Sequence, residues 1–396
     1  MTKQNINLNR LKDEFKNKME YLTIDQDIET FAYSIDASTI QRIPSLVLFP
    51  KSKEELIEIV KLSSKYNFSI TARGSGTNLV GNSLSNEVIV DFSKLNKLLE
   101  IDEENKTAVV EPGVICAELN NNLKKTIFPV IPSSHRVCTI GGMINCNSAG
   151  NWSMKFGKVE HWIENVWFID GYGKEVESKE IVGTEGMLGL ITKVKLKLTE
   201  IPKIKVEYKE FDDVQSMINK MLEYKKNNQT IMLEVLDKNC SNLLLKKEKI
   251  ILLIGLESNE AVDNCEEYEN RIRAREKAYP TLAERGYILI EDPQIPEQNL
   301  SEFLEFLEKN NIPYFGHIGS GIIHPCFKKD QKELINKMYL LVKELNGRVS
   351  GEHGIGLKKI EFSPKEFIIK IIELKAKYDP NNIFNRELFN SLKQRK

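Results

Sequence analysis

Short apolar and β-branched runs, separated by glycine, asparagine or proline, dominate the first 200 residues. They predict strands at 69–73, 88–92, 107–111, 166–170 and 190–198. Ser52 and Glu55 form a predicted capping box for a helix over 56–66, whose apolar face comprises Leu56, Ile59 and Val60. The polar N-terminal residues 1–22 predict an amphipathic helix.

Helices and strands alternate in the middle of the chain, from about residue 201 to 310. Helical spacing appears at 214–224 and 264–277, and strand-like runs appear at 231–235, 250–255 and 287–291. This order predicts a β-sheet that is covered by helices on one face.

Length and charge narrow the class of protein. A chain of 396 residues exceeds one ordinary core, so two or three domains are expected. Lysine plus arginine (56) nearly cancels aspartate plus glutamate (57), which leaves no positive field for nucleic acid. No apolar run approaches the roughly 20 residues of a spanning helix, and the N-terminus lacks the apolar core of a signal peptide. We therefore expect a cytoplasmic protein.

The six cysteines include no CxxC pair. Zinc ribbons and ferredoxin-type iron–sulfur clusters are therefore unsupported, and free core thiols are expected.

A glycine-rich loop follows the predicted strand at 69–73. In the segment 72–81, glycines allow successive N–H groups to converge on one point, where they can bind phosphate oxygens. The hydroxyls of Ser75 and Thr77 could add donors, although a tight turn is the alternative interpretation of this loop. A Rossmann nucleotide site is disfavoured because a turn and a strand follow, where that fold requires a helix.

Further clusters of glycine or other small residues recur at 132–134, 140–143, 147–150 and 183–189; the first is Pro-Ser-Ser and the other three contain glycine. Several such clusters between strands indicate backbone that packs closely along an extended ligand.

Two histidine–glycine motifs lie near residues 316–325 and 350–356. Gly319 and Gly321 permit a bend that could bring His317 and His324 together. With Glu352 they would offer two imidazoles and a carboxylate, a set that suits a divalent transition metal, and His353 would remain as a base. Each histidine alone could instead be a hydrogen-bonded structural residue.

The sequence resembles the FAD-linked oxidases with a PCMH-type FAD-binding domain, and within them the group of the glycolate oxidase flavoprotein, cytochrome-type D-lactate dehydrogenase and D-2-hydroxyglutarate dehydrogenase. The matching stretches, in order, are YSIDAS, ARGSGTNLVG, EPGV, IPSS, TIGGMINCNSAG, VGTEGMLGLIT and KYDPNNIFN. The resemblance implies an α+β fold, with a two-subdomain FAD domain and an α+β cap that contains an antiparallel sheet. The implied boundaries are 1–200 for the FAD domain, 201–360 for the cap, and 361–396 for a helical segment that returns to the FAD domain.

The resemblance also implies the FAD-binding residues. The pyrophosphate would lie on Gly74, Ser75, Gly76, Thr77, Asn78 and Gly81. The flavin and ribityl chain would lie along Pro132, Ser133, Ser134, Gly141, Gly142, Asn147, Ser148, Ala149 and Gly150, and the adenosine near Glu185, Gly189 and Ile191. Covalent members of the wider fold carry a histidine where this chain has Thr77, so non-covalent FAD is expected.

Further implied roles are metal ligation by His317, His324 and Glu352, with zinc or manganese as the ion, and proton abstraction by His353. Arg275 would bind the substrate carboxylate; a charged helix face is the alternative. The family usually has aspartate and asparagine where this chain has Ser320 and Ile322, which removes polar support beside the metal.

The implied reaction is oxidation of a small D-2-hydroxy acid, D-lactate or glycolate, to the 2-oxo acid by metal-assisted proton abstraction and hydride transfer to flavin N5. A quinone, a cytochrome or a separate iron–sulfur protein would accept the electrons; a homodimer and peripheral attachment at the inner face of the membrane are compatible with this. Dicarboxylate-specific relatives use a lysine where this chain has Ile290, which favours monocarboxylates.

Four alternatives remain at this point: a D-2-hydroxyglutarate dehydrogenase, a non-catalytic FAD-binding subunit, a transferase of ether-lipid synthesis and a nicotinamide enzyme. The retained histidine motifs disfavour the second, and Glu352 disfavours the third, whose members are histidine-rich at this motif. The missing helix after the glycine loop disfavours the fourth.

Overall fold

The computed structural model describes residues 8–16, 18–24, 27–258 and 275–395. The N-terminal half contains α1 (Leu8–Phe15), β1 (Glu20–Thr23), β2 (Leu46–Phe49), α2 (Lys53–Tyr66), β3 (Ile70–Arg73), β4 (Val88–Asp91), β5 (Leu98–Asp102), β6 (Thr107–Val110), α3 (Cys116–Asn121), β7 (Thr126–Ile127), α4 (Ile140–Cys146), α5 (Ser153–Phe156), β8 (Ile163–Ile169), β9 (Glu175–Glu177), β10 (Leu190–Lys197) and β11 (Thr199–Glu200).

The C-terminal half contains β12 (Ile204–Phe211), α6 (Val214–Lys225), β13 (Thr230–Leu236), α7 (Lys238–Leu245), β14 (Ile250–Glu257), α8 (Ala278–Glu284), β15 (Leu289–Ile290), α9 (Leu300–Lys309), β16 (Tyr314–His317), β17 (Ile322–Phe327), α10 (Lys332–Glu344), α11 (Lys365–Tyr378) and α12 (Arg386–Lys393). Short 3₁₀ helices cover Ile28–Ser34, Val159–Trp162, Lys179–Ile181, Glu297–Asn299, Ile318–Ser320 and Ile360–Phe362. No helix within the described ranges is long and apolar enough to cross a membrane.

Two sheets organise the N-terminal half. The first has the order β1-β2-β4-β3, in which β2, β4 and β3 run parallel, and the second is an antiparallel sheet of order β5-β6-β10-β8-β9. All five strands predicted in this half are confirmed, with ends that shift by three residues or fewer. The N-terminal helix is confirmed only over Leu8–Phe15, because β1 begins at Glu20.

Helix α2 shows how a local signal sets an element boundary. The hydroxyl of Ser52 accepts the N–H of Glu55 at 3.2 Å, as a helix N-cap requires. The carboxylate of Glu55, however, accepts the N–H of Lys51 at 2.8 Å, one residue before the position that a capping box would use. The helix therefore begins at Lys53, and its predicted apolar face is buried.

A six-stranded antiparallel sheet of order β12-β14-β13-β16-β17-β15 forms the centre of the C-terminal half. Helices α6, α9 and α10 share one apolar cluster with one face, while α7 and α8 share a second cluster with the opposite face. The prediction that helices cover one face is therefore wrong, because all seven residues of β13 are buried. Most of the helix predicted at 264–277 lies outside the described residues.

The C-terminal segment packs back onto the N-terminal sheets. Phe384 forms a parallel bridge with Ile70 of β3, and the Asn385 amide donates to the backbone oxygens of Asn82 and Glu185 at 2.9 Å each. These contacts fit the predicted return of the segment 361–396 to the FAD domain, and the division at residues 1–200, 201–360 and 361–396 stays a prediction.

Candidate active site

A cavity of about 370 Å³ lies between the glycine-rich segments of the N-terminal half and the sheet of the C-terminal half. Its N-terminal wall includes the loop 74–79, Pro132, Ser133, Ser134, Gly141, Gly142, Ser148, Glu185 and Ile191. Its C-terminal wall includes Arg275, Glu276, Tyr279, Ile290, Phe315, His324, Glu352 and His353. The predicted base, the predicted substrate-binding arginine and most of the predicted cofactor residues thus meet at one cavity.

The glycine loop after β3 lines the cavity and requires glycine at two positions. A side chain at Gly74 would collide with the Thr139 hydroxyl, and Gly76 has a φ of +66°, a conformation that favours glycine. Asn78 fixes the next turn, because its side-chain oxygen accepts the N–H groups of Val80 and Gly81 at 3.0 and 2.8 Å. A turn and β4 follow, as predicted, so no helix opens at this loop.

Five of the predicted cofactor residues do not line the cavity: Gly81, Asn147, Ala149, Gly150 and Gly189. They support its walls instead. Side chains at Gly150 and Gly189 would collide with the backbones of Ile131 and Ile169, and Asn147 ends α4 with a left-handed φ of 49°. These positions permit close packing behind the cavity, and a direct contact with FAD stays a prediction for them.

Glu185 joins the N-terminal half to the loop after Glu352. Its two carboxylate oxygens accept the N–H groups of Ile355 and Gly356 at 2.7 Å each. Burial raises the pKa of Glu185, although these hydrogen bonds oppose the rise. The side chain therefore fastens the N-terminal half to the loop that carries His353; it also lines the cavity, and its place near the adenosine stays a prediction.

The two metal-ligand histidines come together through a β-hairpin. β16 and β17 pair so that His317 lies opposite Ile322 and His324 lies opposite Phe315. The 3₁₀ turn Ile318–Ser320 and Gly321, with a φ of +75°, reverse the chain between the strands. The two histidines are diagonal neighbours on one face, so the predicted bend is confirmed as a complete hairpin turn.

Glu352 completes a buried group of three ligand residues. Its Oε1 lies 3.1 Å from His324 Nε2, and its Oε2 lies 3.8 Å from His317 Nε2. One ligand atom from each residue falls within 4.8 Å of the other two. Ligand atoms about 2.1 Å from a tetrahedral ion are about 3.4 Å apart, so the donor set fits a divalent metal.

The pKa values of His324 and Glu352 are both lowered, but for different reasons. Burial lowers the pKa of His324, although its hydrogen bond to Glu352 opposes this. Burial would raise the pKa of Glu352, but hydrogen bonds with His324 and His353 lower it well below its usual range. The site therefore combines a neutral imidazole with an ionised carboxylate, the forms in which both bind metals.

His353 is the most accessible of the site histidines. Its side chain is 23% exposed, and its Nε2 lies 3.4 Å from Glu352 Oε1. Burial lowers the pKa of His353, but the hydrogen bond and charge of Glu352 and the charge of Asp292 outweigh this and raise it. A histidine that lines the cavity and has a raised pKa suits the role of a proton acceptor.

Arg275 is fully buried at the cavity wall and is held on three sides. Its Nε donates to Glu234 Oε2 at 2.6 Å, its Nη1 donates to Ser133 Oγ at 2.8 Å, and its guanidinium lies 4.8 Å from the centre of the Phe315 ring. Its Nη2 has no partner within the described part of the chain. The alternative of an exposed helix face is therefore wrong for this arginine.

Two acidic residues at the site were not predicted from the sequence. Glu234 of β13 contacts both Arg275 and His317, and Asp292 accepts the N–H groups of Glu352 and His353 at 2.9 Å each. The available signals were a single charge within the apolar run 230–236 and an acidic pair directly after a strand. A buried charge rarely occurs without a specific partner.

Ser320 and Ile322, the positions that depart from the family pattern, make no polar contact with the three ligand residues' side chains in the described ranges. The Ser320 hydroxyl lies 2.8 Å from Ser153 Oγ and donates to the backbone oxygen of His317 at 3.1 Å. Ile322 is fully buried. Within the described ranges, the polar contact that supports the His317 ring comes from Glu234 instead.

Two family models match the chain: the FAD-binding domain at residues 44–179 and the C-terminal domain of FAD-linked oxidases at residues 202–388. A Bacillus subtilis glycolate oxidase subunit, GlcD, is 28% identical, over 91% of this chain and 92% of its own length. A Stutzerimonas stutzeri D-2-hydroxyglutarate dehydrogenase is 25% identical, over 95% and 97%. An Anaerostipes hadrus D-lactate dehydrogenase is 25% identical, over 91% and 92%.

Among solved structures, an alkyldihydroxyacetonephosphate synthase superposes with a TM-score of 0.71 at 19% identity, covering 95% of this chain and 84% of its own. At this identity the likeness extends to the fold alone. The fold, the cavity and the two consecutive domain matches agree, and the chain belongs to the FAD-linked oxidase family, with its FAD-binding domain followed by its C-terminal domain.

Proposed function

We propose that this protein is a dehydrogenase that oxidises a small D-2-hydroxy acid, D-lactate or glycolate, to the 2-oxo acid with non-covalent FAD. The observation that supports this most is the convergence of His353, His324, Glu352 and Arg275 on the cavity that the glycine loop lines, with His317 completing the ligand group. Relatives with matching length are named for oxidation of glycolate, D-lactate and D-2-hydroxyglutarate.

The N-terminal wall would hold the cofactor. The loop 74–78 would bind the pyrophosphate through its N–H groups, and Pro132 to Ser134 with Gly141 and Gly142 would line the flavin. When bound, FAD supplies the acceptor for the two electrons that leave the substrate. Thr77 offers no imidazole for a covalent bond, which supports reversible binding.

His317, His324 and Glu352 would hold a divalent ion, zinc or manganese. Such an ion supplies Lewis acidity that makes a coordinated hydroxyl easier to deprotonate. All three ligand side chains are buried, so such an ion would be reached through the cavity that His324 and Glu352 line.

The remaining residues orient the substrate and move its proton. His353 would accept the hydroxyl proton at Nε2, the ring nitrogen that faces Glu352. Arg275 would donate from Nη2 to the substrate carboxylate, and its other nitrogens are already fixed by Glu234 and Ser133. When the substrate carboxylate and hydroxyl are both held, the α C–H bond has a single orientation, toward the wall that would hold the flavin.

The cavity favours a monocarboxylate over a dicarboxylate. Among the described residues that line it, the permanent cations are Arg73 and Arg275, and Arg73 donates to the backbone oxygens of Tyr33 and Ile35. Ile290 and Phe315 add apolar surface to the wall that contains Arg275. Oxidation of D-2-hydroxyglutarate is the second candidate, since relatives at 25% identity carry that name.

A non-catalytic role as an FAD-binding subunit is disfavoured because the base and the ligand group are both assembled. Electrons from the reduced flavin must leave through a separate acceptor: a quinone, a cytochrome or an iron–sulfur protein. The described cysteines are five free thiols, none of them near another in a CxxC motif.

Anaerobic reduction of the bound flavin by a panel of 2-hydroxy acids tests this function. D-Lactate and glycolate are expected to bleach the flavin absorbance faster than D-2-hydroxyglutarate, and L-lactate is the stereochemical control. If no hydroxy acid reduces the flavin in metal-replete protein, the proposed function is wrong. A clear preference for D-2-hydroxyglutarate would instead select the second candidate.

A further inference from the structure

Glu234 lies between the two parts of the site that would contact the substrate. Its side chain is fully buried, and its two oxygens have different partners: Oε1 lies 2.5 Å from His317 Nδ1, and Oε2 accepts from Arg275 Nε at 2.6 Å. We propose that Glu234 is a positioning residue that fixes the orientation of the metal-ligating His317 and of the carboxylate-binding Arg275 relative to each other. This inference rests on the proposed function.

The contact with His317 selects the tautomer of its ring that carries the proton on Nδ1. An imidazole that donates from Nδ1 to a carboxylate keeps its lone pair on Nε2. That nitrogen faces Glu352 Oε2 at 3.8 Å, within the ligand group. A carboxylate behind a ligating histidine fixes the tautomer and the ring orientation, and its loss typically costs about 10- to 100-fold in metal affinity.

The contact with Arg275 selects a direction for its guanidinium. Because Nε binds Glu234 and Nη1 binds Ser133, the rigid plane of the group leaves Nη2 as the donor without a partner among the described residues. Glu234 also supplies the negative charge that a fully buried arginine requires. One carboxylate therefore fixes both ends of the region in which a hydroxy acid would bind.

This arrangement needs two acceptors at one side chain. The Arg275 Nε–H can only donate, and His317 must donate from Nδ1 if Nε2 is to bind a metal. Glutamine has the same shape as glutamate but offers one acceptor and one donor. In Glu234→Gln, therefore, either His317 loses its required tautomer or Arg275 loses its anchor.

The test measures zinc affinity and substrate affinity separately. Zinc binding to the FAD-loaded protein is measured by competition with a chromophoric chelator, and the KM for D-lactate is taken from flavin reduction. Glu234→Gln is expected to lower zinc affinity about 10- to 100-fold or to raise KM by a similar factor, with the flavin spectrum retained. Ser133→Ala, which removes the other anchor of Arg275, is expected to raise KM without changing zinc affinity.

Asp237→Asn is the matched control. Asp237 is buried just beyond the same strand, but its Oδ1 accepts from the backbone of Cys240 as a helix cap, which asparagine preserves, and its Oδ2 accepts from the neighbouring Asn239 amide at 3.0 Å, outside the ligand group. If Glu234→Gln matches the wild type and this control within twofold in both constants, the inference is overturned. If Glu234→Gln does not retain FAD, Glu234→Asp replaces it, because the shorter carboxylate cannot reach both partners and the same losses are expected.

The wild-type measurements separate this inference from the proposed function. If no hydroxy acid reduces the wild-type flavin, the proposed function fails, and the zinc constants alone decide the role of Glu234. If the wild type reduces its flavin and the variant keeps both constants, only the role of Glu234 fails.

Discussion

Replacing Asp292 with asparagine is expected to weaken both the fold and the loop that carries the proton acceptor. Asp292 is fully buried two residues after the end of β15. Its Oδ2 accepts the N–H groups of Glu352 and His353 at 2.9 Å each and the Ser350 hydroxyl at 2.8 Å. Its Oδ1 pairs with the ammonium of Lys359, which is also fully buried.

The expected loss follows from the pair with Lys359. Asparagine can keep one oxygen toward the loop, but its amide group then faces the Lys359 ammonium, donor against donor. Removing one partner of a buried ion pair typically costs about 3–5 kcal/mol. Lys359 keeps a hydrogen bond to the Val349 oxygen at 3.1 Å and lies 4.0 Å from Glu291, so the lower end of that range applies.

The pKa of Asp292 gives a second measure of the same interaction. Burial would raise it, but the charges of Lys359 and His353 outweigh burial and lower the pKa to about 2 from an ordinary 3.8. That difference corresponds to about 2 kcal/mol of stability. Because the folded-state pKa is depressed, this contribution is present above pH 3.8 and is lost as the pH falls toward 2.

The assay compares urea unfolding at one fixed FAD concentration with the rate of anaerobic flavin reduction. Asp292→Asn is expected to lower the free energy of unfolding by about 2–4 kcal/mol and to slow reduction, because the loop that positions His353 loses its anchor. The double variant Asp292→Asn/Lys359→Met removes the unpaired charge and is expected to regain most of the stability without regaining the rate. A single variant within about 0.5 kcal/mol of the wild type would refute this account of the loop.

Three further outcomes are expected. Acid or heat should release FAD from the yellow protein; flavin that stays with the denatured chain would contradict non-covalent binding at the Thr77 loop. His353→Ala should abolish flavin reduction while FAD stays bound, and unchanged reduction kinetics would remove His353 from the role of base. Chelation and His324→Ala should each slow reduction by orders of magnitude, since a metal can contribute several kcal/mol to the barrier. Added zinc or manganese should restore only the chelated wild type, and full activity in protein shown to be metal-free by elemental analysis would end the metal hypothesis.

Features that depend on residues close together in the chain could be predicted from the sequence. Ser52 marks the start of α2 because a cap acts within three residues, and the glycines at 319 and 321 permit the turn between His317 and His324. The strands of the N-terminal half follow from apolar runs that are bounded by turn residues. In each case the signal and its partner share one short segment.

Contacts between distant segments could not be predicted in this way. Glu234 and His317 are 83 positions apart, and Asp292 and His353 are 61 apart. An acidic residue in an apolar strand indicates a buried partner, but the sequence alone does not identify that partner. Glu185 shows the same limit, because its bonds to Ile355 and Gly356 cross from one half of the molecule to the other.

The bridge between Phe384 and Ile70 has a consequence for how the chain folds during synthesis. Ile383 and Phe384 are buried in the same apolar cluster as β2, β3 and β4. The N-terminal sheet therefore lacks one neighbour of its edge strand until residue 385 has emerged from the ribosome, more than 300 positions later. Until then, β3 presents an unpaired edge, the kind of surface that invites pairing with other chains. Translation that stalls within the C-terminal half should accordingly leave an aggregation-prone nascent chain.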